Sequence, residues 1–119
     1  MRIILPSATD KEGKSLLSNR FGRASYMTIY ENGLWHTTPN SALKSMGGAG
    51  VQSAQFIINQ KADVLIAQNI GPKAWQILSM GNLDIYEGIT DTLENNLKAF
   101  RDNKLKKITA ATNPSGVNK

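Results

Sequence analysis

The sequence has no cysteine and only one histidine among its 119 residues. Without thiols the chain forms no disulfide bond and offers no thiolate to a metal ion, and a metal site usually needs several imidazole, thiolate or carboxylate ligands. No apolar run approaches the roughly 18 to 20 residues of a membrane-spanning helix, and the amino-terminal apolar run is too short for a secretory signal. These absences predict a cytoplasmic protein with neither a disulfide framework nor a metal site built from side chains.

Residue patterns for hydrolytic catalysis are also missing. No serine lies in a G-x-S-x-G turn, which presents the nucleophile of many hydrolases. The first apolar run, Arg2 to Pro6, carries no carboxylate, whereas two-metal nucleases need several converging carboxylates. The sequence therefore predicts that this protein is not an enzyme.

The net charge of +5 comes mostly from the last 19 residues. Residues 1–100 contain nine Lys or Arg and eight Asp or Glu, so this part is close to neutral. A basic tail can contact phosphates without reading their sequence. The charge distribution therefore predicts no specific nucleic-acid binding.

The apolar pattern predicts an α/β fold with the element order βββ-α-β-α-β-α. Asn32-Gly33 lies between two runs of strand composition and predicts a tight antiparallel hairpin. From residue 51 the apolar period becomes helical, and it is interrupted by the short buried run Val64 to Ile66. A leading hairpin followed by a βαβαβ half predicts a mixed five-stranded sheet with helices on its faces.

Two glycine-containing loops precede predicted helices. Gly47, Gly48 and Gly50 precede the first, and Asn69 and Gly71 precede the second, which starts at a proline suited to the first helical position. Helix starts present unpaired N–H groups and a positive dipole end, so an anion is their natural ligand. The spacing matches no standard nucleotide-binding motif, and both loops can also be read as plain helix starts.

A third segment, Arg20-Phe21-Gly22-Arg23, places two arginines three residues apart in a loop. Two guanidinium groups can hold a carboxylate, a phosphate or an anionic cluster. The alternative is that these arginines only cover the protein surface. His36, the single histidine, is interpreted as a structural residue of a hairpin strand.

Three motifs together resemble the dinitrogenase iron–molybdenum cofactor biosynthesis family. They are Ser-Asn-Arg-Phe-Gly-Arg-Ala-Ser-Tyr (18–26), Gly-Gly-Ala-Gly-Val-Gln-Ser-Ala-Gln (47–55) and Ala-Gln-Asn-Ile-Gly-Pro-Lys-Ala (67–74). The resemblance implies a ribonuclease H-like fold for residues 1–103, which leaves 104–119 as a basic, flexible tail. It also implies a cargo, the iron–molybdenum cofactor or an iron–sulfur precursor.

One position departs from the family pattern. Many cofactor-carrying members have a histidine directly before Phe-Gly, and this chain has Arg20 there. A guanidinium pairs with an anionic cluster but is not an ordinary metal ligand. The departure therefore favours electrostatic holding over direct coordination.

The sequence thus predicts a non-catalytic carrier or binding module for an anionic metallocluster or a related small anion. It would have protein partners in cluster assembly and would not associate with membranes. The predicted contact residues are Arg20, Phe21, Gly22, Arg23, Gly47, Gly48, Gly50, Asn69 and Gly71. The alternative function is a small regulatory or scaffold domain that binds protein partners and no cluster.

Overall fold

The structure, a computed structural model, describes residues 1–45 and 47–112. Within these ranges it contains a six-stranded sheet and three α-helices. The strands are β1 (Ile3–Ser7), β2 (Tyr26–Glu31), β3 (Leu34–Pro39), β4 (Val64–Ala67), β5 (Asp84–Glu87) and β6 (Lys106–Lys107). The helices are α1 (Ala49–Asn59), α2 (Pro72–Ser79) and α3 (Leu93–Arg101).

The sheet is mixed, with the strand order β3-β2-β1-β4-β5-β6. β1, β2 and β3 pair antiparallel, and β1, β4 and β5 pair parallel. The predicted hairpin is present, with Asn32 and Gly33 at φ 54° and 78°, the left-handed values that its two-residue turn requires. A mixed sheet with flanking helices is thereby confirmed.

The predicted number of five strands is wrong, because β6 adds a sixth. β6 pairs antiparallel with β5, and Lys107 forms a 3.1 Å ion pair with Asp84. Two exposed lysines show no apolar alternation, so sequence pattern gives no sign of a strand here. The ribonuclease H-like assignment implied by the resemblance stays a prediction.

Each face of the sheet carries its own apolar core. On one face α1 and α2 cover the sheet, and Ile57 and Leu78 pack with Leu65 of β4. On the other face α3 places Leu93 and Leu97 against the neighbouring strands. Every residue of β4 is buried, as the unbroken apolar run predicts for a strand covered on both faces.

The described part of the predicted tail, residues 104–112, packs on the sheet. Leu105 and Ile108 are buried, and the Ile108 N–H donates to the Ile85 carbonyl at 2.8 Å. Residues 113–119 lie outside the described residues, and a flexible tail remains a prediction. Among the described residues no helix is long and apolar enough to cross a membrane.

Candidate anion-binding site

A cavity of about 400 Å³ lies where α1 and α2 begin. Three segments line it, namely the 3₁₀ turn Phe21–Arg23, the first turn of α1 and the loop leading into α2. Each of these segments lies within one of the three motifs of the sequence analysis. The lining residues are Phe21, Gly22, Arg23, Gly48, Ala49, Gly50, Val51, Asn69, Gly71, Pro72, Lys73 and Ala74.

The 3₁₀ turn is held against α1 by a close backbone contact. A Cβ atom added to Gly22 would lie 2.7 Å from the Gly50 nitrogen and 2.8 Å from its Cα, so only glycine fits at position 22. Phe21 anchors the turn, because its side chain is buried in the core beneath α1. The anchor and the contact fix Arg23 beside the first turn of α1.

The first turn of α1 offers backbone donors to the cavity. Its N-cap, Gly48, has φ 72°, a left-handed conformation that glycine adopts without strain, and it has no side chain to cap the helix. The first helical hydrogen bond runs from the Gln52 N–H to the Gly48 carbonyl. The N–H groups of Ala49, Gly50 and Val51 therefore precede the helical ladder and are available to a ligand.

α2 begins in the same way on the other side of the cavity. Gly71 is its N-cap and Pro72 its first residue, so the earliest free donors are the N–H groups of Lys73 and Ala74. Asn69 lies just before this start with φ 58°, and its Nδ2 donates to the Asn19 carbonyl at 2.5 Å. Two helix dipoles thus present their positive ends to one cavity.

The charged side chains in the lining are Arg23 and Lys73, and the lining contains no carboxylate. Lys73 was missed in the sequence analysis. Its position directly after a proline at the first helical residue is the signal that could have found it. Two cations and two helix starts together make the cavity suited to an anion with several negative oxygen or sulfur atoms.

Most of the predicted contact residues come together around this cavity. Those that line it are Phe21, Gly22, Arg23, Gly48, Gly50, Asn69 and Gly71. Arg20 and Gly47 do not line it, although each is the chain neighbour of a lining residue. Arg20 is exposed, and its N–H donates to the Ser18 hydroxyl at 3.2 Å.

The donor set fits electrostatic holding of a cluster and does not fit ligation of its metal atoms. The lining has no histidine, cysteine or carboxylate, and His36 lies on β3, outside the lining. Across residues 1–45 and 47–112 no group of three or more His, Cys, Asp or Glu is placed to hold a metal ion. N–H groups, a guanidinium and an ammonium would contact the anionic atoms of a ligand.

Comparisons with known proteins identify relatives of this chain. An uncharacterized protein of Methanocaldococcus jannaschii is 34% identical over 113 residues, which cover 91% of this chain and 92% of that protein. The apo form of the orange protein from Desulfovibrio gigas has the same fold, with a TM-score of 0.86 and 23% identity over 92% of this chain and 94% of that chain.

A Thermotoga protein with the provisional name NifB protein has a TM-score of 0.79 and 28% identity, covering 93% of this chain and 96% of that one. The family model described as dinitrogenase iron–molybdenum cofactor matches residues 1–103, which include all three motifs. This chain therefore belongs to the dinitrogenase iron–molybdenum cofactor family.

Proposed function

We propose that this protein is a non-catalytic carrier or binding module for an anionic metallocluster, either the iron–molybdenum cofactor or an iron–sulfur precursor of it. A related small anion would use the same contacts. Membership of the family supports a cluster-related role. The observation that carries the proposal is the cavity with two helix starts, two cationic side chains and no carboxylate in its lining.

In this proposal the two cationic side chains and the backbone donors have different roles. Arg23 and Lys73 supply charge, and the N–H groups at the starts of α1 and α2 contact the anionic surface atoms of the cargo. Arg20 and Gly47 contribute only from beside the cavity, since neither lines it. The proposal assigns the site no bond-making step, because a carrier needs only to bind and release.

The proposal is tested by anaerobic gel filtration of the protein with excess iron–molybdenum cofactor, with iron and molybdenum measured in the protein peak. Arg23→Ala and Lys73→Ala each remove one charged contact. We expect each to weaken binding about 10-fold or more, since a hydrogen bond to a charged group contributes about 1.5–3 kcal/mol. Lys98→Ala is the matched control, because it removes one exposed charge from α3, on the opposite face of the sheet.

Stoichiometric metal in the wild-type peak that falls in Arg23→Ala and Lys73→Ala but not in Lys98→Ala would support the carrier function. A metal-free wild-type peak, under conditions where an established carrier loads, would contradict it.

The second candidate function is a regulatory or scaffold domain that binds protein partners without a cluster. The observation that favours it is Arg20, which replaces the histidine found in many cofactor-carrying members and lies exposed outside the cavity. A stable homodimer that is indifferent to added cofactor would support this second function.

A further inference from the structure

We infer that Thr112 is a positioning residue for the anion cavity, and that it acts by holding the loop that leads into α2. This inference rests on the proposed function, because that function supplies the ligand. The hydrogen bonds of Thr112 do not depend on it. The Thr112 N–H donates to the Ile70 carbonyl at 3.0 Å, and the Thr112 hydroxyl accepts from the Ile70 N–H at 2.9 Å. One residue thus satisfies both backbone polar groups of Ile70.

Ile70 lies at the centre of the cavity loop. Its neighbours Asn69 and Gly71 both line the cavity, and its own side chain is fully buried in the core under α1 and α2. The backbone of such a residue needs partners, because an unpaired buried N–H costs about 1–3 kcal/mol. In the described part of the chain, Thr112 provides the acceptor for this N–H.

Several hydrogen bonds hold the loop in its conformation. Asn69 has φ 58°, in the left-handed region that asparagine tolerates better than most other non-glycine residues. The side chains of two loop residues make further hydrogen bonds. Asn69 Nδ2 donates to the Asn19 carbonyl, and Gln68 Nε2 donates to the Gly88 carbonyl at 2.8 Å. Thr112 completes this support, so the loop is tied to three separate parts of the chain.

The segment before Thr112 limits how far this residue can move. The segment before it is fixed to the sheet by the pairing of β6 with β5 and by the buried side chain of Ile108. Only Thr109, Ala110 and Ala111 separate Ile108 from Thr112. A short connection from a fixed strand limits how far Thr112 can move and so makes its two hydrogen bonds effective.

The consequence for binding follows from the position of Ile70. A shift at Ile70 would move Asn69, and it would move the start of α2 with the Lys73 side chain and the Lys73 and Ala74 N–H groups. Donors that are already in their binding positions bind a ligand more tightly, because association then costs less conformational entropy. The segment that supplies this order lies beyond residue 103, where the family match ends.

The test compares three variants of the full chain. Thr112→Val keeps the side-chain shape and removes the hydroxyl acceptor, whereas Thr112→Ser keeps the hydroxyl. Thr109→Val is the matched control, because Thr109 is an exposed threonine of the same segment. The first readout is hydrogen–deuterium exchange of the Ile70 amide without ligand, and the second is the dissociation constant of the iron–molybdenum cofactor under anaerobic conditions.

We expect the Ile70 amide to exchange about 5-fold faster in Thr112→Val, since the lost hydrogen bond corresponds to about 1 kcal/mol. Cofactor binding should weaken by a similar factor. Thr112→Ser should restore both wild-type values. The same Ile70 exchange rate in Thr112→Val and Thr109→Val would overturn the inference, and so would the same dissociation constant in both variants when the wild type binds the cofactor.

The two proposals fail in different ways. If the wild-type protein binds no cofactor, the carrier function fails, and the exchange rate of the Ile70 amide alone decides whether Thr112 holds the loop.

Discussion

At the scale of single residues, two glycines of the cavity have different roles. Gly22 meets the backbone of Gly50 so closely that it has no room for a Cβ atom. A Cβ added to Gly50, in contrast, would meet only the Ala74 Cβ at 3.6 Å, an ordinary van der Waals distance. Gly22 is therefore required for packing the 3₁₀ turn on α1, whereas position 50 has room for a Cβ atom.

Gly22→Ala is expected to destabilise the protein by about 1–3 kcal/mol, because the new methyl group must push the turn away from α1. Gly50→Ala should leave stability unchanged or raise it by up to about 1 kcal/mol, since alanine is favoured over glycine in a helix. Urea denaturation monitored by circular dichroism measures both. Equal midpoints for the two variants would contradict the described contact.

At the scale of secondary-structure elements, β6 extends the fold beyond the part that sequence pattern identifies. It is only two residues long, and its residues are exposed. Its stability comes from its neighbours, since Leu105 and Ile108 on either side are buried, in the α3 core and the α1/α2 core respectively. The residues on either side of β6 therefore contribute one side chain to each core, at the edge of the sheet beside β5.

Ile108→Ala tests whether this segment belongs to the folded domain. We expect a loss of about 2 kcal/mol in the free energy of unfolding, the low end for such a truncation, because Ile108 keeps 8% of its surface exposed. Lys106→Ala, on an exposed residue of the same segment, is the control and should change stability by less than about 0.5 kcal/mol. Equal unfolding midpoints for these variants would show that the segment adds nothing to the core.

The elements that the sequence predicted are those with local signals. Asn32-Gly33 specifies the hairpin by its own backbone preferences, and the unbroken apolar run of β4 indicates burial on both faces. β6 has no such signal. The contact between Ile70 and Thr112 joins residues far apart in sequence, and no local sequence pattern predicts it.

The same distinction holds for the candidate site. The glycines and Asn69 were predictable because turns and helix starts require particular residue types. Arg20 and Arg23 looked equivalent in the sequence, yet the 3₁₀ turn places Arg23 in the cavity lining and leaves Arg20 outside it. Which side of a turn a side chain occupies depends on the packing of Phe21, a tertiary contact.

At the scale of the whole molecule, the positions of the charged residues say more about anion binding than the net charge of +5 does. The cavity gathers two cations without a carboxylate in its lining, whereas two cations elsewhere are paired. Arg2 pairs with Glu31 and Lys107 with Asp84, each at 3.1 Å. Arg23 and Lys73 line the cavity, so they contribute more to the potential that an anion meets there than distant, solvent-screened charges do.

Anion binding should consequently weaken as salt rises, because the Debye length shortens from about 30 Å at 0.01 M to about 8 Å at 0.15 M ionic strength. In the double variant Arg23→Ala/Lys73→Ala the dependence of the dissociation constant on salt should be clearly shallower than in the wild type. Lys98→Ala serves again as the control and should keep the wild-type slope. A double variant with the wild-type slope would show that the cavity cations do not contact the ligand.

The interior position of β1 has a consequence for the order in which the chain folds. Ile3 of β1 pairs on one side with Tyr30 of β2 and on the other with Val64 of β4. Closing the first pairing costs less chain entropy than closing the second, because a shorter loop is formed. We therefore expect the antiparallel meander of β1, β2 and β3 to form before β4 pairs with β1, both during synthesis and in refolding.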